Sequence, residues 1–280
     1  MVVTVLIENG VSDESFMAEH GLSLFIEEKG KKYLLDAGQS GAFADNAEKL
    51  GISLEEVEFG VLSHGHYDHG GGFGVFLEKC PEKKIYAMEK AKEKYYSSSG
   101  GNLHEIGIPE NVYPAYEGNF CFVSGSVELA DGIWLIPHSA KGLESIGERA
   151  GLYRMCGGEI VPDDFAHELS LVFDTEKGLV VFNSCSHGGL LTILREVQGH
   201  LPDKKIHAFF GGLHMKGMKN GEEICTFSEH EIEQLAEEVK KLGIGRLFTG
   251  HCTGGPGYEL LKKYLPENLG ALSTGTVIEI

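Results

Sequence analysis

The run Ser63-His64-Gly65-His66-Tyr67-Asp68-His69-Gly70 places four potential metal ligands within six consecutive positions. Imidazole and carboxylate are ligands for zinc and iron, and a catalytic site gathers several of them while leaving one coordination position open. The run follows the apolar stretch Phe59-Gly60-Val61-Leu62. His64 and His66, two apart on a chain leaving a strand, can lean to one side and share an ion. Asp68 and His69 fall just beyond and can serve a second. A solvated turn has no need of an aspartate among alternating histidines, so the run reads as a metal loop.

The elements that must position such a loop recur along the chain. An apolar run, then small residues, then a histidine occurs four times: before His64, before His187, before His214 and before His251. Each histidine leaves the carboxyl end of an expected buried strand, and in open α/β sheets ligands gather at those ends. Small residues there let the backbone turn sharply and approach an ion. Taken singly, a histidine after a strand is more often a satisfied structural residue. For His214, substrate binding or proton transfer is the expected role rather than metal ligation.

Strand-like and helix-like segments alternate from end to end. Residues 2–8, 22–28 and 31–35 read as strands, the last two joined through Lys29-Gly30 as a hairpin. Ser40 can cap a helix carrying Phe43, Ala47 and Leu50, closed by Gly51. Residues 85–97 read as helical, with Glu89–Lys94 as a solvated face. Residues 168–183 read as a hairpin turning through Lys177-Gly178. Ser228 and Glu231 match a capping box opening a helix with Ile232, Leu235, Ala236, Val239 and Leu242 at helical spacing. The stretch 75–165 is the least regular part. We read the chain as one domain, 1–280, in which 75–165 is a lid or small inserted subdomain.

Hydrophobic content of 42% and charged content of 24% over 280 residues are ordinary for a soluble globular protein with a substantial core. A net charge of −18 argues against nucleic acid as a partner, because phosphate backbones want a basic surface. It does not exclude a small anionic substrate, since bound metal charge outweighs the global field locally. The amino terminus reads as a first strand rather than a signal peptide, and no segment approaches the roughly 18–20 apolar residues needed to span a bilayer. The six cysteines are scattered without a Cys-x-x-Cys pair, which fits reduced thiols and a cytoplasmic location.

His-x-His-x-Asp-His after an apolar strand is the signature of the metallo-β-lactamase superfamily, which this chain resembles along most of its length. Lys32-Tyr33-Leu34-Leu35-Asp36-Ala37-Gly38 looks like that superfamily's first motif. Phe182-Asn183-Ser184-Cys185-Ser186-His187-Gly188-Gly189, Gly211-Gly212-Leu213-His214 and Thr249-Gly250-His251-Cys252-Thr253-Gly254 are similar to a narrower branch. That branch comprises metal-dependent hydrolases related to dihydropterin–ribofuranosylaminobenzene-phosphate synthase. The resemblance implies an α/β fold, the metallo-β-lactamase αβ/βα sandwich, and one or two divalent ions, zinc foremost with iron or manganese as alternatives. It implies His64, His66 and His187 on one ion and Asp68, His69 and His251 on the other. His167 competes with His187 for the third histidine position. The bridging aspartate expected after the second hairpin strand is missing, and Asn183-Ser184-Cys185 occupies its place. Cys185 either supplies a thiolate there or is a buried, unreactive thiol; Cys252, beside His251, is read as unreactive. Asp36 is expected to accept a ligand imidazole N–H or to serve as a turn residue.

The implied function is a metal-dependent hydrolase acting on a small anionic, phosphoester-like substrate through a metal-bound hydroxide. Asp68 would orient the hydroxide and His214 protonate the leaving group. The alternative is a pterin-type transferase joining a pterin diphosphate to an aminobenzene riboside phosphate. A di-iron redox role is disfavoured, because His66 stands where those proteins carry glutamate and no flavin domain fits. A metal-stabilised binding protein is the remaining rival. His104 and His138 lie in the irregular stretch and could touch substrate, whereas His20, His200, His207 and His230 lack supporting context.

Overall fold

The computed structural model describes residues 1–280. The chain divides into two compact units, residues 1–125 with 140–169 and 273–280, and residues 126–139 with 170–272.

In the first unit a seven-stranded sheet runs in the order Val277–Glu279, Val2–Ile7, Ser23–Glu28, Lys31–Leu35, Val57–Val61, Ile85–Met88, Phe120–Val123. The expected hairpin through Lys29-Gly30 is present. Both turn residues have positive φ (50° and 76°), the conformation that matches the twist of a tight hairpin. From Lys31–Leu35 onward the four strands are parallel, so their carboxyl ends lie on one side of the sheet. Gly60 permits the close pairing with Ile85–Met88, since a Cβ there would stand 2.6 Å from Ile85 Cδ1. Phe25, Leu34, Phe43, Phe73, Phe76 and Ile85 are fully buried in the core of this unit, each contributing roughly 1.5–3 kcal/mol. The Ala42–Lys49 helix carries Phe43 and Ala47 inward and ends at Gly51 (φ 71°). Its N-cap is Gly41; the Ser40 hydroxyl accepts the Ala42 N–H at 3.2 Å from one residue further out.

Residues 85–97, expected to be helical, form the strand Ile85–Met88, a single 3-10 turn Glu89–Lys92 and the strand Tyr95–Ser97. Parallel pairing on both sides of Ile85–Met88 overrides the local helix preference of its neighbours. The charges of the turn are solvated as expected, with Lys90 paired to Glu93 and Lys92 to Glu89. Tyr95–Ser97 joins a four-stranded sheet ordered Glu159–Pro162, Leu152–Cys156, Tyr95–Ser97, His104–Glu105. Its inner face packs Tyr95 and Leu152 with Ile106, Leu143 and Phe165. Within 75–165, Ile85–Met88 and Phe120–Val123 belong to the first unit's large sheet, while Val127–Ala130 and Ile133–Pro137 belong to the second unit's.

The second unit holds a seven-stranded sheet ordered Leu269–Ala271, Arg246–Thr249, Ile206–Phe210, Gly178–Phe182, Leu169–Thr175, Ile133–Pro137, Val127–Ala130. Leu169–Thr175 and Gly178–Phe182 form the expected hairpin. The next two strands run parallel to Gly178–Phe182, with Phe182, Phe210 and Phe248 in register and their rings stacked at 4.9 and 4.5 Å. The helices Leu190–His200, Glu229–Lys241 and Gly254–Tyr264 contribute Ile193, Ile232 and Leu261 to this unit's core. Ser228 and Glu231 form the capping box: the hydroxyl accepts the Glu231 N–H at 3.3 Å, and the carboxylate accepts the Ser228 N–H at 2.7 Å. No helix is long and apolar enough to cross a membrane, and all six cysteines are free.

Candidate metal centre

The first unit builds its ligand loop on Asp36, at the end of the Lys31–Leu35 strand. Asp36 is fully buried and sits in the left-handed region (φ 56°). Its Oδ1 accepts the Ser63 N–H at 2.7 Å, and its Oδ2 accepts both the Ser63 hydroxyl and His69 Nδ1–H at 2.7 Å. Because the only Ser63 hydroxyl proton goes to Asp36, the 2.8 Å contact between Ser63 Oγ and His64 Nδ1 is donated by the imidazole. One carboxylate thus fixes the tautomers of two histidines, each with its lone pair on Nε2. This is the outer support that metal-ligating histidines require.

The rings gather closely. His64 lies 4.5 Å from His66 and 4.2 Å from His69, centroid to centroid. His64, His66, Asp68 and His69 are all buried, at 0, 4, 7 and 0% exposure. Asp68 Oδ2 stands 3.5 Å from His69 Nε2. Burial lowers the His66 pKa to about 3, with His167 adding to the effect against the pull of Asp68 and Asp163. The ring is therefore neutral at physiological pH, as a ligand must be. Gly65 admits no side chain, because a Cβ would lie 2.4 Å from the Ala91 carbonyl oxygen.

Sequence reasoning missed His20, which meets Asp68 Oδ2 through Nε2 at 3.3 Å and is 47% exposed at its side chain. It lies on an irregular loop before the second strand, and no local pattern marks it. His167, the competitor for a ligand position, is fully buried beside His66 with ring centroids 5.1 Å apart. Its Nδ1 accepts the Gly65 N–H at 2.9 Å, and its Nε2 bonds Asp163 Oδ2 at 3.0 Å.

In the second unit the parallel strands deliver their histidines from neighbouring carboxyl ends, as the recurring pattern predicts. His187 and His214 have ring centroids 4.4 Å apart. His214 Nδ1 is buried without a hydrogen-bond partner. His251 opens a 3-10 turn, His251–Thr253, and is 2% exposed. Ser186, His214 and His251 have φ of 53°, 47° and 48°. For residues other than glycine this conformation costs about 1–2 kcal/mol, a strain that concentrates at functional sites. Two glycines allow the loops to close: a Cβ on Gly211 would stand 1.8 Å from the Asn183 carbonyl oxygen, and one on Gly212 would stand 2.4 Å from Cys252 Sγ.

Cys185 and Cys252 are both buried. Cys252 Sγ accepts the His214 N–H at 3.3 Å and donates to the Cys185 carbonyl at 3.5 Å. Burial pushes the Cys252 thiol up, but bonds with Cys185 and His214 and the neighbouring His251 outweigh it and hold it well below its usual value. Asn183 serves the turn: its Oδ1 accepts the Ser186 N–H at 2.8 Å and its Nδ2 donates to Ser170 at 3.1 Å. His138 Nδ1 bonds Glu196 Oε2 at 2.7 Å, and its ring fills the space above Gly188, where a Cβ would lie 2.4 Å away. His104 is exposed and turned to the Asn102 carbonyl.

The donor set fits a divalent cation: imidazoles oriented by a buried carboxylate, and a second carboxylate alongside. Comparison with known proteins agrees. The metallo-β-lactamase superfamily matches residues 18–152. The chain is 27% identical over 278 residues to the 7,8-dihydropterin-6-methyl-4-(β-D-ribofuranosyl)-aminobenzene-5′-phosphate synthase of Methanocaldococcus jannaschii, covering 94% of this chain and 91% of that one. It is similar throughout to a crystal structure of a metal-dependent hydrolase of the β-lactamase superfamily, with a TM-score of 0.81, 27% identity and coverage of 100% and 99%. It shares the fold of zinc-bound PqqB from Methylobacterium extorquens, with a TM-score of 0.60, 13% identity and full coverage of both chains. The fold expected from the motifs is therefore the one observed, that of the metallo-β-lactamase superfamily, whose members bind divalent metal ions and to which this chain is similar.

Proposed function

We propose that this protein is a metal-dependent hydrolase of small, anionic, phosphoester-like substrates. The observation that carries this reading is the Asp36 carboxylate, which aims His64 through the Ser63 hydroxyl and His69 by its own hydrogen bond. The ligands we assign are His64, His66, Asp68, His69, His187 and His251. Zinc is the assigned metal, for a set dominated by imidazole, with iron and manganese as the competitors. One or two ions would supply Lewis acidity, acidifying water and drawing charge from a phosphoryl oxygen.

The side chains supply the rest. Asp68 would orient the attacking hydroxide through its carboxylate. His214 would return a proton to the leaving oxygen, and its partnerless Nδ1 supports that role. The net charge of −18 supports a small molecule rather than nucleic acid as substrate, and six free thiols support a reducing, cytoplasmic setting.

The likeness to the M. jannaschii synthase favours a second reading, transfer of a pterin methylene group to an aminobenzene riboside phosphate with loss of diphosphate. Both reactions stabilise charge on phosphate oxygens. The deciding experiment incubates zinc-loaded protein with a phosphoester panel and, separately, with a pterin diphosphate plus the aminobenzene riboside phosphate. Ester hydrolysis that is lost in His66→Ala upholds the hydrolase; coupled product without ester hydrolysis replaces it with the transferase.

A further inference from the structure

His167 lies 102 residues from the loop it touches, and both of its ring nitrogens are engaged. Nδ1 accepts the N–H of Gly65, the residue between His64 and His66. Nε2 therefore carries the proton and donates it to Asp163 Oδ2. Asp163 is fully buried, and its Oδ1 accepts the Phe165 N–H at 2.9 Å, which fixes the carboxylate in turn. The imidazole is stacked on Tyr95 at 3.9 Å and 30°, and the Tyr95 hydroxyl is tied to the Lys90 carbonyl at 2.7 Å. Behind Gly65 the Ala91 backbone closes the remaining space. A second tether, from Leu169 N–H to the Ser63 carbonyl at 2.9 Å, joins the same two segments.

We propose that His167, held by Asp163 and Tyr95, is a positioning residue that clamps the Gly65 amide and so sets the separation of His64 and His66, and is not itself a metal ligand. This inference rests on the metal-dependent reading above. A ligand imidazole must present a lone pair to the cation while its other nitrogen donates outward. In His167 the lone pair is given to a backbone amide and the proton to a carboxylate, so the whole ring is committed to the loop. The alternating His-Gly-His backbone has no side chain at its centre, and an external acceptor is what fixes its middle peptide.

The test compares wild type with His167→Asn and His167→Phe. Asparagine places its Oδ1 near the position of Nδ1 and can still accept the Gly65 N–H; phenylalanine keeps the stacking on Tyr95 and removes both bonds. Two quantities are read: protection of the Gly65 amide from hydrogen exchange in metal-free protein, and zinc affinity by chelator competition. His167→Phe is expected to lose the amide protection and roughly ten- to a hundredfold in zinc affinity, the range for loss of an outer support. His167→Asn is expected to recover both. Equal protection of Gly65 in wild type and His167→Phe overturns the clamp. Loss of as much zinc affinity in His167→Asn as in His167→Phe, with Gly65 still protected, overturns it also and makes His167 a ligand. Should His167→Phe fail to fold, zinc affinity in His167→Asn decides: near wild type upholds the clamp, and a loss beyond a hundredfold refutes it. A wild type that binds no zinc sinks the metal reading instead, and amide protection then decides the clamp alone.

Discussion

The two units aim their histidines by different means. In the first, a buried carboxylate and a serine hydroxyl hold His64 and His69 by side-chain hydrogen bonds. In the second, His214 and His251 are turned by left-handed backbone at strand ends, and the Cys252 sulfur accepts the His214 N–H. The first arrangement fixes the tautomer as well as the direction of the ring; the second fixes the direction and stores strain. A site organised by hydrogen bonds fails when an acceptor is removed, whereas one organised by backbone strain gains stability when the strain is relieved.

The largest effect is expected from removing that acceptor. Asp36→Ala strands three buried donors, on Ser63 and His69, and is predicted to lower zinc affinity more than a hundredfold by chelator titration. It should also cost about 3–5 kcal/mol in urea denaturation of the metal-free protein. Retention of tight zinc binding would show that the carboxylate does not aim the rings.

Acid should act next. His66 takes up a proton near pH 6.5 when unfolded but only near pH 3 when folded. The unfolded state therefore binds more protons between those values, and stability that is complete above pH 6.5 falls as pH drops toward 3. The loss is at most about 5 kcal/mol. Urea midpoints of metal-free wild type should fall across this window, and those of His66→Gln should fall less.

A smaller change tests the second unit. Gly188→Ala inserts a methyl group into the His138 ring and should destabilise by about 1–3 kcal/mol in thermal unfolding. Wild-type stability in that variant would mean that the His138–Glu196 pair does not rest on Gly188. The smallest effect has the opposite sign: His214→Gly relieves a left-handed backbone and should raise stability by about 1 kcal/mol while turnover is lost. Equal stability would remove strain as the organising device.

The parts that were legible in the sequence are those with local signatures. The hairpins at Lys29-Gly30 and Lys177-Gly178, the Ser228 capping box and the strand-end histidines each declare themselves within a few residues. Asp36 was readable as a support because its motif precedes the loop at a recognisable distance. The clamp of His167 on Gly65, the pairing of His138 with Glu196 across 58 residues, and the contact of His20 with Asp68 had no such signature. They arise only when distant segments pack. The misread helix at 85–97 has the same origin, since Ile85–Met88 is held as a strand by neighbours on both sides.

Hanging two imidazoles from one carboxylate makes their energetics inseparable. Any substitution at Asp36 or Ser63 is felt by more than one donor, so retuning His64 alone for a different cation also disturbs His69. Double-mutant cycles across this trio should be strongly non-additive, and an engineered change of metal preference there would have to alter the three residues as a set.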